Sequence, residues 1–296
     1  MPDELRIHVT QINTYQTCPR MFYFAHVLGL VPKVDNPKLV FGRGIHQALA
    51  AYYSGGGRRG ALEAYGAWLA EEAAKQPDPS VLKESQEIGA ALLGAYADFA
   101  EEHDDFRAEA VEQPFSVPVL LPGDGGFRHF SFRGAPVYYE GTFDAVVRNA
   151  YGKLWLMEHK TASSFPTAQE LKLNLQVSFY LLAAQQLYED PPVGVVYNVL
   201  RKVHPARARG QVIRRELVTR STEELKRTAG YLYRAVRRIL TDKHFDPIPG
   251  YHCGWKCAYW EPCLCLQDGV DPAPYIELHY TVDEERRVNL AAERRC

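Results

Sequence analysis

Apolar residues recur at three- and four-residue spacing in the first third of the chain, a pattern typical of amphipathic helices. It predicts helices at 10–17, 41–53, 61–75 and 81–102. Thr10 is expected to cap the first helix, and the Cys18-Pro19 pair to interrupt it before an aromatic stretch. Glycine and proline clusters at 54–57 and 76–79 separate the other helices. The first third is therefore expected to be helical.

From residue 108 the pattern changes to short β-like runs with turn residues between them. These runs predict strands at 110–119, 129–139, 141–148 and 154–160. A helix at 167–188 and a strand at 193–200 follow, so we expect a strand, crossover helix, strand unit. A strand at 211–219 precedes a helix at 222–240 that Ser221 should cap, and beyond Asp246 the chain becomes loop-like and rich in cysteine.

Length and composition favour one compact α/β unit. With 296 residues, of which 46% are hydrophobic, the chain can bury a substantial core. We divide it into a helical part at 1–107, a core at 108–242 and a cysteine-rich segment at 243–296. The sequence has neither a long apolar run nor the pattern of a secretory signal, so we expect a cytoplasmic protein without a membrane segment. Disulfides are not expected in that reducing compartment, and metal ligation or burial of the cysteines is favoured.

The formal net charge of -2 argues against a general coating protein for nucleic acids, because such proteins carry a basic excess. It does not argue against a nuclease, whose metal-binding carboxylates add negative charge of their own. The segment 201–215 holds six basic residues and no acid. Two interpretations stay open for it: a basic groove for nucleic acid, or a solvated hairpin between two strands.

Two charged residues, Glu158 and Lys160, flank His159 at the end of an apolar strand. Side chains two residues apart on a strand share a face, so carboxylate and ammonium point together. Asp144 lies one hairpin earlier, and antiparallel pairing should bring it beside Glu158. Clustered carboxylates suit Mg²⁺ or Mn²⁺, which can activate water and screen a phosphate. The alternative interpretation is a solvated strand end.

These residues resemble the PD-(D/E)xK nucleases, in the RecB-like branch that includes CRISPR-associated exonucleases and AddB-type nuclease domains. Gly141-Thr142-Phe143-Asp144 is similar to the family's G-x-x-D strand, and Glu158-His159-Lys160-Thr161 to its (D/E)-x-K-T strand. The resemblance implies a restriction-endonuclease-like mixed central sheet flanked by helices. It also implies that Asp144 and Glu158 are metal ligands, that Lys160 is the catalytic lysine, and that the reaction is metal-dependent phosphodiester hydrolysis.

Further positions match the same branch. Gln176 and Tyr180 look like its Q-x-x-x-Y motif, and their spacing puts both on one helical face. His46 is similar to an early helical histidine that binds metal in this branch, and a neutral imidazole suits Mn²⁺. Without the resemblance, a lone helical histidine is more often an ordinary surface or core residue.

Glu112 resembles the acid on the first core strand of the branch, with Glu109 as the competing choice. The backbone carbonyl of His159 is a further candidate ligand for the metal. With His46, Asp144 and Glu158, it completes the expected metal site.

Four cysteines, Cys253, Cys257, Cys263 and Cys265, lie within thirteen residues. Such crowding indicates a soft-metal site, and the residues alone allow either zinc or an iron–sulfur cluster.

The resemblance implies a [4Fe-4S] cluster bound by Cys18, Cys253, Cys257 and Cys263, which would clasp the two ends of the chain. Three residues separate the first two of the late cysteines, where the branch usually has two. Cys265 could replace Cys263, and Cys296 is expected to be a free thiol.

The function expected from the sequence is a metal-dependent DNA nuclease, with exonuclease action on single-stranded DNA in repair, recombination, phage or CRISPR processing. The protein is also expected to be able to bind partner proteins in a repair, phage or CRISPR complex. The rival function is a catalytically silent DNA-binding scaffold of the same fold. The presence of the aspartate, the E-x-K pair and the Q-x-x-x-Y pair together favours the enzyme.

Overall fold

The computed structural model describes residues 4–75, 78–123, 126–254 and 257–288. Contacts between Cα atoms divide these residues into two compact units. Unit 1 takes its residues from Met1–Lys33, Ser116–Gly141 and Lys226–Cys296. Unit 2 takes its residues from Val34–Phe115 and Thr142–Leu225. Each unit is therefore assembled from segments that are distant in the sequence.

Helices dominate the first third of the chain, as its apolar periodicity predicts. In the described residues the α-helices are α1 (Val9–Thr17), α2 (Pro19–Phe22), α3 (Pro37–Ala51), α4 (Gly57–Lys75), α5 (Lys83–His103), α6 (Ala168–Lys172), α7 (Leu175–Leu187), α8 (Thr222–Thr241), α9 (Trp260–Gln267) and α10 (Ala273–His279).

Strands fill the middle of the chain. In the described residues they are β1 (Leu5–His8), β2 (Leu30–Pro32), β3 (Phe106–Pro118), β4 (Leu120–Gly123), β5 (Gly126–His129), β6 (Ser131–Phe132), β7 (Ala135–Asn149), β8 (Leu154–Ala162), β9 (Val195–Arg201), β10 (Ile213–Val218) and β11 (Tyr280–Val282).

Unit 2 contains a mixed sheet in the order β7-β8-β9-β10, to which β7 contributes its second half. The pairs β7–β8 and β9–β10 are antiparallel, whereas β8 and β9 are parallel. Helices α6 and α7 connect the parallel pair, which confirms the predicted strand, crossover helix, strand unit. Strand β8 is buried over its first six residues, Leu154 to His159, because it is an interior strand of the sheet.

Helices α3, α4 and α5 form the other part of unit 2. Their apolar faces meet in a cluster that includes Phe41, Ile45, Leu49 and Leu92, all fully buried. Gly44 lies against Trp68, and a Cβ atom at Gly44 would stand 2.3 Å from the indole ring. Helices α3 and α4 therefore pack in close contact at the level of His46.

Unit 1 pairs β1 in parallel with the first half of β7, and β2 antiparallel with β11. An aromatic cluster of Phe24, Tyr259 and Tyr280 lies beside the second pair. The hydroxyl group of Tyr259 donates a 2.8 Å hydrogen bond to the carbonyl oxygen of Leu30, so the cluster leaves this polar group satisfied.

Several predicted boundaries are corrected. The runs at 129–139 and 141–148 do not form two strands with a break at Gly141, because Gly141 lies inside the continuous strand β7. The helix predicted at 167–188 is divided, since the side chain of Asn174 accepts from the amide of Val177 and starts α7 anew. His8, not Thr10, caps α1, and its ring accepts from the amide of Thr10.

The region beyond Asp246 is less irregular than the sequence predicts, because it contains α9 and α10. Every helix among the described residues is too short or too polar to cross a lipid bilayer.

Candidate active site

The hairpin of β7 and β8 brings Asp144 and Glu158 to the same place. Ala145 pairs with Met157 in the antiparallel register, so Asp144 and Glu158 follow as the next residues on the two strands. The backbone amide of His159 donates a 2.7 Å hydrogen bond to Asp144 Oδ2. Asn149 fixes the turn, because its side-chain oxygen accepts from the amide of Lys153 at 2.9 Å. The local turn chemistry thus sets the register that places both carboxylates.

Glu158 is only 1% exposed, although it is a carboxylate. Its Oε1 forms an ion pair with the ammonium group of Lys160 and accepts a 2.9 Å hydrogen bond from Gln176 Nε2. The same amide nitrogen lies 2.9 Å from the hydroxyl oxygen of Tyr180, one turn along α7. Among the described residues Glu158 Oε2 has no hydrogen-bond partner. One carboxylate oxygen is thus held by the protein, and the other is left available to a ligand.

Three side chains from three elements converge beside this pair: His46 on α3, Glu112 on β3 and Asp144 on β7. One ligand atom of each lies within 4.8 Å of those of the other two, and His46 Nδ1 lies 3.4 Å from Asp144 Oδ2. In the described part of the chain this is the one group of three or more His, Cys, Asp or Glu side chains with such spacing. The set of nitrogen and carboxylate donors suits a divalent cation such as Mg²⁺ or Mn²⁺.

The backbone of Glu112 is strained, with a φ angle of 47°. A non-glycine residue in this region costs of order 1–3 kcal/mol, and such strain concentrates at functional sites. The alternation of exposure along β3 also breaks just before Glu112, at Ala110 and Val111, as it does at a β-bulge. Glu109, the competing acid, instead receives hydrogen bonds of 2.6 and 3.0 Å from the guanidinium group of Arg148. The structure thus brings Glu112, and not Glu109, to the cluster with His46 and Asp144.

The charges of the site shift the pKa values of its members in different directions. Burial raises the pKa of Asp144, but the hydrogen bond and charge of His46, with smaller contributions from His159 and Lys160, outweigh this effect and lower it to about 2. Burial raises the pKa of Glu158, and Lys160 offsets only part of the rise. Burial lowers the pKa of Lys160, but Glu158 and Asp144 outweigh burial and leave the pKa above its usual range. Lys160 is therefore a fixed cation in this site.

The ring of His159 lies on the opposite face of the sheet, in a buried polar network that the sequence does not predict. Its Nδ1 lies 3.4 Å from Asn198 Nδ2, and the ring stacks on Tyr53 with 5.6 Å between centroids. Asn198 Nδ2 also donates to the hydroxyl oxygen of Tyr96 at 3.1 Å. Burial lowers the pKa of His159 to about 3, so the ring is neutral near pH 7. A polar residue among the apolar residues of β9 was the sequence signal that could have identified Asn198.

Arg215 closes the far side of this network. Its Nε donates a 2.8 Å hydrogen bond to Asn198 Oδ1, and its Nη1 lies 2.5 Å from Asp104 Oδ1. Both charged side chains are largely buried. The interpretation of 201–215 as one continuous basic groove is therefore wrong at Arg215, which serves the interior of unit 2.

The four cysteines of the predicted cluster all lie in unit 1. Burial raises the pKa of Cys257, and the thiols of Cys18, Cys253 and Cys263 raise it further. Burial also raises the pKa of Cys263, with contributions from Cys18 and Cys253. Cys265 is not among the main groups that shift either pKa.

Backbone amides already point at two of these sulfur atoms. The amide of Ile248 donates to Cys18 Sγ, and that of Gly250 to Cys253 Sγ, each over 3.4 Å. Cys18 is buried, and the late cysteines are half-buried. Cys296 lies outside the described residues.

No curated protein sequence matches this chain significantly. The crystal structure of SSO0001 resembles it at 14% identity with a TM-score of 0.39, over 88% of this chain and 86% of that one. A provisionally named exonuclease from Eubacterium rectale resembles it at 10% identity with a TM-score of 0.43, over 80% of each chain. The family model of the PD-(D/E)XK nuclease superfamily, however, matches residues 6–264, and the chain therefore belongs to that superfamily.

Proposed function

We propose that this protein is a metal-dependent deoxyribonuclease whose active site consists of His46, Glu112, Asp144, Glu158 and Lys160. The observation that carries the proposal is the convergence of three donor side chains within 4.8 Å beside the buried ion pair of Glu158 and Lys160. Membership of the nuclease superfamily supports the same reaction class.

The residues present fit a divalent cation. His46, Glu112 and Asp144 supply one nitrogen and two carboxylate donors, and Glu158 Oε2 is buried without a hydrogen-bond partner in the described chain. These four side chains would hold the ion, with the backbone carbonyl of His159 as a further ligand. When bound, Mg²⁺ or Mn²⁺ lowers the pKa of a coordinated water and offsets the charge of a phosphate.

Lys160 would act by its charge. Because Glu158 and Asp144 keep its pKa high, the ammonium group stays protonated at neutral pH and cannot serve as a general base. A fixed cation at this place stabilises the negative charge that develops on the phosphoryl oxygens during attack by water. Gln176 holds the Glu158 carboxylate in place and would position it for the ion, and the Tyr180 hydroxyl oxygen accepts a second hydrogen bond from the same Gln176 nitrogen.

More specifically, we propose exonuclease action on single-stranded DNA, as in the RecB-like branch. The pathway would be repair, phage or CRISPR processing, and the protein partners would come from those assemblies. The support for this proposal is the order of the motifs along the chain: His46, the G-x-x-D aspartate, the E-x-K-T strand and the Q-x-x-x-Y helix. The geometry supports the same assignment, because the side chains of these motifs lie around one site in unit 2.

The test is cleavage of end-labelled single-stranded DNA with Mn²⁺ and with excess EDTA. We expect cleavage only with the metal. Lys160→Ala should reduce the rate by about 100- to 1000-fold. The matched control is Lys153→Ala, at an exposed lysine just before the same strand, which should not change the rate. A circular single strand that resists digestion would support exonuclease action. Equal rates for wild type and Lys160→Ala would favour the silent scaffold.

For Cys18, Cys253, Cys257 and Cys263 we propose a [4Fe-4S] cluster. The support is the resemblance to the RecB-like branch, together with the influence of the other thiols on the pKa values of Cys257 and Cys263. Thiolate ligands suit zinc as well as an iron–sulfur cluster, and metal analysis distinguishes the two.

Anaerobic purification with iron, sulfide and zinc analysis tests the cluster. We expect iron and acid-labile sulfide in wild type and in Cys265→Ser, and their loss in Cys18→Ser. A colourless wild-type preparation with stoichiometric zinc would contradict the cluster and leave the nuclease proposal untouched.

A further inference from the structure

Two arginines lie on the same face of the unit 2 sheet as Lys160. Lys160 pairs with Val199 on β9, and Val199 pairs with Arg214 on β10. Ala162, two residues beyond Lys160, pairs with Arg201. Residues directly opposite each other on neighbouring strands point to the same face. Arg214 and Arg201 therefore share the face of Glu158 and Lys160.

Phe165 links the two arginines. It lies in the loop that follows β8, and the guanidinium carbons of Arg214 and Arg201 lie 4.3 and 5.5 Å from the centroid of its ring. A guanidinium group that stacks on an aromatic ring keeps its in-plane N–H donors free for a planar acceptor. Phe165 thus orients both groups without using up their hydrogen-bonding capacity.

The guanidinium groups of these two arginines form no ion pair with a carboxylate in the described part of the chain. Within the described chain neither guanidinium group lies within 4.0 Å of a carboxylate oxygen. The guanidinium group of Arg201 donates one hydrogen bond there, to the carbonyl oxygen of Gln211. Arg215, the neighbour of Arg214, has its charge balanced by Asp104 on the opposite face. Arg201 and Arg214 thus present two guanidinium groups on the active-site face without a directly paired carboxylate among the described residues.

We propose that Arg201 and Arg214, held by Phe165, bind a backbone phosphate of the substrate strand next to the scissile phosphate. This inference rests on the proposed nuclease function and adds a second point of contact for the strand. Two strand spacings, about 10 Å between backbones, separate Lys160 from Arg214, and Lys160 is already paired with Glu158, so we assign the arginines to a neighbouring phosphate. The site recognises the phosphodiester backbone and not a base, so it sets affinity without sequence preference.

The experiment measures binding of a fluorescent oligodeoxythymidine strand by anisotropy, with Ca²⁺ in place of Mg²⁺, over a series of KCl concentrations. We expect Arg214→Gln and Arg201→Gln each to weaken binding about tenfold and to lower the salt slope by about 0.7. Phe165→Leu should weaken binding about threefold. Arg59→Gln removes the same charge from an exposed site on α4 and should leave the affinity unchanged.

Thermal melting of each variant verifies folding. An Arg201→Gln/Arg214→Gln double variant that binds with wild-type affinity and salt slope overturns the phosphate site, even if the wild type cleaves DNA. A wild type that does not bind the strand overturns it as well. Weakened binding in the double variant, together with a wild type that cleaves nothing with Mn²⁺, would support the phosphate site and contradict the proposed hydrolysis.

Discussion

Gln176 holds Glu158 by one hydrogen bond, in which Nε2 donates to Glu158 Oε1 over 2.9 Å. The bond joins the second helix of the crossover to the strand that carries the E-x-K pair. Because Glu158 is buried, its carboxylate cannot exchange this donor for water without moving. Gln176 therefore fixes which oxygen faces Lys160 and which is left for a ligand.

We predict that Gln176→Leu lowers Mn²⁺ affinity or the cleavage rate by about 10- to 100-fold, the usual effect of losing a group that orients a metal ligand. Gln186→Leu is the matched control on the same helix, since Gln186 donates only to the carbonyl oxygen of Leu182. Calorimetric titration with Mn²⁺ and single-turnover cleavage measure the two quantities. Equal values for both variants would show that Gln176 does not orient Glu158.

Arg215 and Asp104 form a largely buried ion pair, with side chains 10% and 14% exposed. We predict that Arg215→Met lowers the free energy of unfolding by about 3–5 kcal/mol, because it leaves Asp104 as an uncompensated charge. Asp104→Leu combined with Arg215→Met should cost less than the sum of the two single variants.

Urea unfolding measures both effects. Arg59→Met, which breaks a highly exposed pair with Glu63, should change the free energy of unfolding by less than about 0.5 kcal/mol. Additive single variants would indicate that Asp104 and Arg215 do not interact in solution.

His26 is largely buried in unit 1, and burial lowers its pKa to about 4. The unfolded chain takes up this proton near pH 6.5, whereas the folded chain takes it up only near pH 4. The contribution of the neutral His26 ring to the free energy of unfolding is therefore complete above about pH 6.5. It is lost as the pH falls towards about 4. Over that window the free energy of unfolding should decrease by about 3 kcal/mol on account of this residue.

His26→Phe keeps an aromatic ring beside Phe22 and cannot titrate. We predict a shallower loss of stability between about pH 7 and pH 4 in this variant than in the wild type. Chemical unfolding at several pH values gives the slope, and His244→Phe, at an exposed position, serves as the control. A slope that His26→Phe leaves unchanged would place the acid sensitivity elsewhere.

Local chemistry explains what the sequence predicts correctly. Ser221 was expected to cap α8, and it does so reciprocally, because its hydroxyl group accepts from the amide of Glu224 and the Glu224 carboxylate accepts from the amide of Ser221. The hairpin of β7 and β8 follows from the turn that begins at Asn149. Once that register is set, Asp144, Glu158 and Lys160 must come together.

Contacts between distant residues explain what the sequence misses. The choice of Glu112 over Glu109 depends on Arg148, which is far along the chain and binds Glu109. It also depends on the strained backbone at Glu112, which the type of residue does not predict. The network behind His159 depends on Asn198 and Arg215 facing it from other strands. No periodicity within one segment contains that information.

Gly44 lies on α3, two residues from His46, and its lack of a side chain lets Trp68 approach. A Cβ atom at this position would stand within 2.3–2.7 Å of three atoms of the indole ring. We predict that Gly44→Ala separates α3 from α4 and lowers the free energy of unfolding by about 1–3 kcal/mol. Since α3 carries His46, the same change should weaken Mn²⁺ binding.

Gly66→Ala is the matched control, because a Cβ atom at Gly66, inside α4, meets nothing within 4 Å. Alanine is the better helix former, so this variant should gain about 0.5–1 kcal/mol and keep its Mn²⁺ affinity. Thermal unfolding and calorimetric titration with Mn²⁺ compare the two variants. If Gly44→Ala is destabilised but binds Mn²⁺ as tightly as the wild type, His46 does not bind the metal or does not move with α3.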